Sequence, residues 1–306
     1  VVKGAILAKK EGVDVILSGD ENLIKSYLGN EKIPVINYPQ VISMDDDPAK
    51  AIRSNKDSSI IGALNLVKEK KADAVFSAGS TGATLIGAIS VLGKIKGVTR
   101  PTIASVLPGK EKEVILVDSG ANLEVKPKVL YQFAIMGSKL SELLFDIENP
   151  RIGLINNGEE SSKGRELEKS TFKLLKSSQL NFIGNVEGKD FANSKVDVFV
   201  TDGFTGNVVL KTLQGVAKLQ QDLISKSLKE NLFKPLLVPV KNAISPVKSM
   251  LNPNSTNGSY LLGVNGLVII GHGSSNSEAI KNALLFTSRA VEKRFINKFT
   301  EVSSEL

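Results

Sequence analysis

The chain has 306 residues, 42% hydrophobic and 23% charged, which is enough for one large α/β domain or two intertwined halves around a packed core. It has no cysteine, which excludes disulfides, thiolate catalysis and cysteine–metal centres and fits a cytoplasmic protein. The net charge of +7 suits an acidic partner, a phosphorylated substrate or an anionic surface; it is too diffuse for nucleic acid, and aromatics are only 5% with no tryptophan.

The chain opens inside what reads as a helix, residues 1–10, so a first strand is expected ahead of Val1. A strand over 13–17, a helix over 22–28 and a short strand over 33–36 follow. Asp45, Asp46 and Asp47 precede Pro48; consecutive carboxylates there read as a helix start rather than a metal site, with Pro48 in the first turn. A helix over 60–67 comes next.

A rhythm then sets in: apolar runs end in small, glycine-bearing polar loops and restart as helices. Residues 74–76 lead into Ser77, Ala78, Gly79, Ser80, Thr81 and Gly82, and residues 114–117 into Asp118, Ser119, Gly120, Ala121 and Asn122. Residues 152–155 lead into Asn156, Asn157, Gly158, Glu159 and Glu160, with Lys163 beyond. Residues 196–200 lead into Asp202, Gly203, Phe204, Thr205, Gly206 and Asn207, and residues 267–270 into Gly271, His272, Gly273, Ser274 and Ser275. The last helix is expected to run to about residue 298. This is the pattern of a largely parallel mixed sheet covered by helices on both sides, a three-layer α/β/α fold whose ligand sits beyond the carboxyl ends of the strands. The five loops are expected to line one anion-binding cleft. The helix opening at Gly203 is expected to offer its N-terminal N–H groups and dipole to a phosphate.

Residues 232–251 differ. Phe233, Leu237, Val240, Ile244, Val247 and Leu251 form an apolar stripe, and Lys234, Lys241 and Lys248 recur every seven residues beside it. Pro235, Pro239 and Pro246 interrupt it, and a turn-rich loop follows to about residue 258. The stripe reads as a core or dimer face, or as a contact with an anionic membrane surface. The 232–258 segment is expected to protrude from one 1–306 domain.

Taken in order, several motifs are specific. They are K-D-S-S at 56–59, S-A-G-S-T-G-A at 77–83, D-S-G-A-N at 118–122, Q-F-A-I-M-G at 132–137 and N-G-E-E-S-S-K-G at 157–164. They continue with N-F-I-G-N-V-E-G at 181–188, D-G-F-T-G-N-V-V-L-K at 202–211, L-L-G-V-N-G at 261–266 and H-G-S-S at 272–275. In these the chain closely resembles the PlsX-type phosphate acyltransferases of bacterial phospholipid synthesis. The family usually begins with a strand and a D-A-M-G-G-D loop, which this sequence lacks, and it commonly carries Asn at position 80 and Val or Ile at 119 and 157. The resemblance implies a fold like that of isocitrate dehydrogenase and phosphotransacetylase, two intertwined halves sharing a sheet around a cleft. It implies transfer of an acyl group from acyl carrier protein to inorganic phosphate, with no cofactor, by a homodimer touching the inner face of the membrane.

That chemistry needs positioning, charge neutralisation and donors for a tetrahedral oxyanion, but no protein nucleophile. The expected cations are Lys163 and Lys211. Ser80, Thr81, Asn122, Asn157, Thr205, Asn207, Ser274 and Ser275 are the expected neutral groups, with backbone at Gly82, Gly158, Gly203, Gly206 and Gly273. His272, the only histidine, is a candidate acid or base, and Asp202, like Asp118, is expected to orient a lysine or backbone N–H groups or to act as base. Glu159 is expected to orient Lys163 or cap the next helix. The alternatives are a metal-dependent dehydrogenase on the same fold and a non-catalytic phosphate-binding or membrane scaffold.

Overall fold

A computed structural model describes residues 1–231 and 258–301. The 232–251 stripe and nearly all of the loop after it lie outside the described residues.

The first third builds α1 (Val2–Lys10), β1 (Leu17–Gly19), α2 (Glu21–Leu28), β2 (Val35–Asn37), α3 (Pro48–Ser54), α4 (Ser59–Lys68), β3 (Ala74–Ser77) and α5 (Thr81–Val91). The starts follow capping rules. Asp20, Asp47 and Ser80 each accept an N–H from three residues ahead, and Pro48 stands in the first turn of α3. The acidic run 45–47 therefore does work in capping: Asp47 caps α3 and Asp46 Oδ2 accepts from Ser43 N at 2.7 Å.

The middle builds β4 (Thr102–Leu107), β5 (Val114–Val117), α6 (Pro127–Phe145), β6 (Ile152–Ile155), α7 (Glu166–Lys176), β7 (Phe182–Val186), α8 (Asp190–Asn193), β8 (Val198–Val200) and α9 (Gly203–Asn231). Beyond it come β9 (Ser259–Leu262), β10 (Leu267–Ile270), α10 (Ser277–Glu292) and α11 (Phe295–Thr300). The last helix is thus two, because Arg294 takes a left-handed conformation at φ 55° and breaks the run. Among the described residues no helix is long and apolar enough to cross a membrane.

β1 and β2 form a small parallel pair, and the other strands form one eight-stranded sheet in the order β3-β10-β9-β4-β5-β8-β6-β7. It is a mixed sheet. β10 is parallel to β3, and β5, β8, β6 and β7 are mutually parallel, but β9 and β4 are antiparallel to each other and to their outer neighbours β10 and β5. The sheet direction therefore reverses between its two halves. This corrects the expectation that all five loops leave one edge. The loops after β3 and β10 leave one edge, and those after β5, β8 and β6 leave the other. The reason is the central position of the antiparallel β9 and β4 in the expected mixed sheet.

The two faces of this sheet are packed differently. On one, a continuous core joins Ala104, Val106, Ile115, Val117, Tyr260, Leu262 and Ile269 with Phe133, Met136 and Leu140 of α6 and Phe295 and Phe299 of α11. On the other, the core is split. One cluster joins Val75, Ile103, Leu261, Val268 and Ile270 to α3, α4 and α5, and another joins Leu107, Leu116, Val114 and Phe199 to Val209 and Leu210 of α9. Strand alternation places Ser105 and Ser259 on this second face, between the clusters. The described fold is therefore two halves sharing a sheet, joined by one core beneath and parted above.

Candidate active site

The seam between the clusters is polar. Ser105 and Ser259 face each other across β4 and β9, with their hydroxyls 2.8 Å apart. The Ser119 hydroxyl, folded back from the end of β5, accepts from Ser105 Oγ at 2.8 Å and donates to Ile103 O at 3.1 Å. Ser259 also lies beside Ile270, the last residue of β10. Strands of four residues span only about 13 Å, so the two sets of loops stand close on either side of this seam.

On one side are the loops after β3 and β10. Ser80 is buried as the cap of α5, its Oγ accepting from Ala83 N at 3.3 Å. Thr81 is exposed in the first turn. A Cβ on Gly82 would stand 2.7 Å from Pro48 Cγ, so the glycine lets α3 and α5 meet at their starts. His272, Gly273 and Ser274 are exposed and Ser275 half-buried. His272 Nδ1 lies 2.7 Å from Ser274 Oγ, and Ser275 N donates to His272 O at 2.9 Å.

On the other side are the loops after β5, β8 and β6. Asp118 is fully buried. Its Oδ1 accepts from Gly120 N at 2.9 Å and Ala121 N at 2.8 Å, and its Oδ2 from Asn122 N and Asn122 Nδ2, both at 2.8 Å. Burial pushes this carboxyl above its usual range, and the donors pull it the other way. The loop it shapes is clamped on α9: Gly203 N donates to Asn122 O at 2.7 Å, and a Cβ on Gly206 would lie 1.8 Å from Asp118 O. No side chain fits there, which is the physical reason for the second glycine of G-F-T-G. The side chain of Asn207, itself exposed, sits beside Gly120.

Asp202 is 2% exposed and engaged twice. Its Oδ1 caps α9 by accepting from Thr205 N at 2.7 Å, and its Oδ2 is paired with the Arg165 guanidinium. The first-turn N–H groups of Gly203 and Thr205 are thus bonded within the protein, to Asn122 O and Asp202. Arg165 also binds Glu168, which is nearly buried, with NH2–Oε1 at 2.5 Å and Nε–Oε1 at 3.1 Å; Glu168 Oε2 accepts from Arg165 N at 2.8 Å. Bonds first to Glu168 and then to Asp202 hold the guanidinium firmly protonated. Arg165 was not among the expected site residues. Its signal was present in the R-E-L-E start of α7, a carboxylate at the third helical position reaching back to the helix start.

The loop after β6 brings Asn157 and Lys163 to the surface, and the Lys163 ammonium has no carboxylate partner among the described residues. Asn156 Nδ2 donates to Lys163 O at 3.1 Å, and a Cβ on the buried Gly158 would press on Lys163 Cγ at 2.9 Å. Glu159 pairs with Lys195, at 2.9 Å, not with Lys163.

The two sides meet through α9. Lys211 is two turns along that helix from the loop after β8, and its Nζ comes to 3.5 Å of His272 Nε2 in the loop after β10. Around His272, Nε2 faces the Lys211 ammonium, and Nδ1 faces both the hydroxyl and the backbone N–H of Ser274, the latter at 3.3 Å. An exposed cation and an imidazole thus share one spot beside a hydroxyl-lined seam, a set of groups suited to holding an anion and moving a proton.

The family described as "fatty acid synthesis protein" matches residues 1–298. A phosphate acyltransferase from Halothermothrix orenii is 42% identical over 306 aligned residues, covering 97% of this chain and 92% of that protein. Among solved structures, the EutD phosphotransacetylase from Staphylococcus aureus aligns with a TM-score of 0.60 at 17% identity, over 93% of this chain and 89% of that one. A putative 4-hydroxythreonine-4-phosphate dehydrogenase from Salmonella typhimurium aligns at 0.53 and 10% identity, over 94% of each chain. At these identities the two structures speak for the fold, a mixed α/β architecture shared by transacetylases and dehydrogenases.

Proposed function

The chain belongs to the PlsX-type phosphate acyltransferase family, and from that premise we propose that it moves a fatty acyl group from the thioester of an acyl carrier protein to inorganic phosphate. The relatives' names favour this acyl transfer over the dehydrogenase and scaffold alternatives. One observation carries the local reading: Lys211 Nζ stands 3.5 Å from His272 Nε2, joining the loop after β10 to the helix that begins after β8.

A phosphate oxygen attacks the thioester carbonyl, a tetrahedral oxyanion forms, and the C–S bond breaks to release the carrier thiol and an acyl phosphate. The chain has no cysteine, so no cysteinyl acyl-enzyme intervenes. Lys163 and Lys211 neutralise the phosphate. Ser80, Thr81, Asn157, Thr205, Asn207, Ser274 and Ser275 supply donors, with backbone at Gly82, Gly158, Gly203, Gly206 and Gly273 shaping the approach; Asn122, whose amide is bonded to Asp118 and Pro101 O, shapes its loop instead. His272 takes the proton from the attacking phosphate and passes it to the departing thiolate. Asp202 acts indirectly, by capping α9 and binding Arg165.

The decisive assay incubates the protein with palmitoyl-carrier protein and follows free thiol with and without phosphate. Phosphate-dependent release is expected, and release indifferent to phosphate overturns the reading. Lys163→Ala and Lys211→Ala should each raise the KM for phosphate by roughly 10- to 100-fold, the loss of one charge-assisted contact. Unchanged phosphate kinetics in both removes them from the site.

The same reading includes a homodimer at an anionic membrane surface. Supporting it are the exposed apolar residues of α9: Phe204, Val208, Val216, Leu219 and Leu223 are each between 46% and 61% exposed. Sedimentation should give twice the 32.7 kDa chain mass, and a monomer at micromolar concentration would discard the dimer.

A further inference from the structure

Helix α7 carries Lys169, Lys173 and Lys176, a spacing of four and three that puts them on one helical face. With Ser161, Glu166 and Phe172 they line an open concavity of about 500 Å³. Phe172 forms its apolar floor, fixed edge to face against Phe182 with centroids 5.2 Å apart. Ser161 belongs to the loop that carries Lys163, so the concavity adjoins the candidate site.

The charge here is unbalanced. Lys25, Lys139 and Lys281 each pair with a glutamate on their own helix, whereas none of these three lysines has a carboxylate partner among the described residues. Glu166, the one acid on the rim, accepts from Ser170 Oγ at 2.8 Å. Like charges four apart weaken a helix. The helix dipole favours Lys173 and Lys176 in the last turn, but it accounts neither for Lys169 in the middle nor for an aromatic floor. Unpaired cations around an apolar hollow complement an acidic protein surface with a few apolar side chains.

We propose that this concavity is the docking surface for the acyl carrier protein, a small acidic helical protein, seated against Lys169, Lys173 and Lys176 so that its thioester arm passes the 156–165 loop toward Lys163. This rests on the acyl-transfer reading above. None of the three lysines belongs to the catalytic set.

The test is the triple variant K169E/K173E/K176E, with Lys173→Gln as a milder companion should the triple variant fail to fold. Direct titration of carrier protein onto the parent and variants, at low and at high salt, reads docking independently of turnover. Affinity should fall on the order of tenfold or more in the triple variant and severalfold in Lys173→Gln, and the salt dependence should flatten in both. In the assay the KM for acyl carrier protein should rise in step, while the KM for phosphate and the rate with a short acyl-pantetheine thioester stay at parent values. Unchanged carrier affinity overturns the proposal, as does equal loss with the short thioester, which would signal general damage. If the parent binds carrier through these lysines yet releases no thiol with phosphate, the acyl-transfer reading fails and the docking surface stands.

Discussion

Arg165→Ala is expected to cost about 3 kcal/mol of stability and to lower turnover together with it. The guanidinium is the shared partner of Glu168 and Asp202, whose side chains are 8% and 2% exposed. Removing it leaves two buried carboxylates facing each other without a cation. Losing a buried pair's partner costs about 3–5 kcal/mol, and Arg165 itself is 59% exposed, so water reaches the vacated space and places the value at the low end. The functional consequence is indirect. Arg165 ties the start of α7 to the start of α9, and so fixes Lys163, two residues upstream, relative to the helix that carries Lys211. Arg165→Lys restores charge but not the forked geometry, and should recover part of the stability while kcat stays low. Chemical denaturation and kinetics on the same preparations check this, and a parent-like melting temperature in Arg165→Ala would show that the pairing contributes little.

Asp118→Ala should destabilise the fold by about 4 kcal/mol, because it removes the buried carboxylate that gathers the donors of Gly120, Ala121 and Asn122. For a chain of this size that lowers the melting temperature by roughly 6 °C. Asp118→Asn rescues it only in part: the amide oxygen can still accept from Gly120 N and Ala121 N, but the amide nitrogen faces the Asn122 N–H groups, which are already donors. The loop these bonds shape is the surface on which Gly203 and Gly206 rest, so the start of α9 should loosen as well. Calorimetry settles the magnitude, and a change under 1 kcal/mol would mean the loop holds its shape by other contacts.

Much of this was legible in the residues. The helix start at Pro48 stands where capping and proline chemistry put it, and the strand-to-helix rhythm gave the layered architecture. The antiparallel pair was not legible. β4 is buried along its whole length and so shows no alternation, and β9 is a four-residue run emerging from a stretch of glycine, serine and asparagine. Missing these two strands made the loops look like neighbours on one edge. Strand boundaries for β1 and β2 also slipped by a few residues toward the chain end, since three-residue strands carry little pattern. Within the candidate site, small and glycine-bearing loops were easy to find, whereas Arg165 was missed because its role lies in joining two elements that are 37 residues apart in sequence.

The unequal packing of the sheet's two faces has a mechanical meaning. Beneath, α6 acts as a spine, and any separation of the halves on that side would tear apart a single greasy mass. Above, the halves touch through paired hydroxyls, which trade readily with water or with an incoming polar group at little net expense. Opening on the upper side alone is therefore the motion expected to cost less, one that would admit a bulky guest and leave the mass around α6 whole.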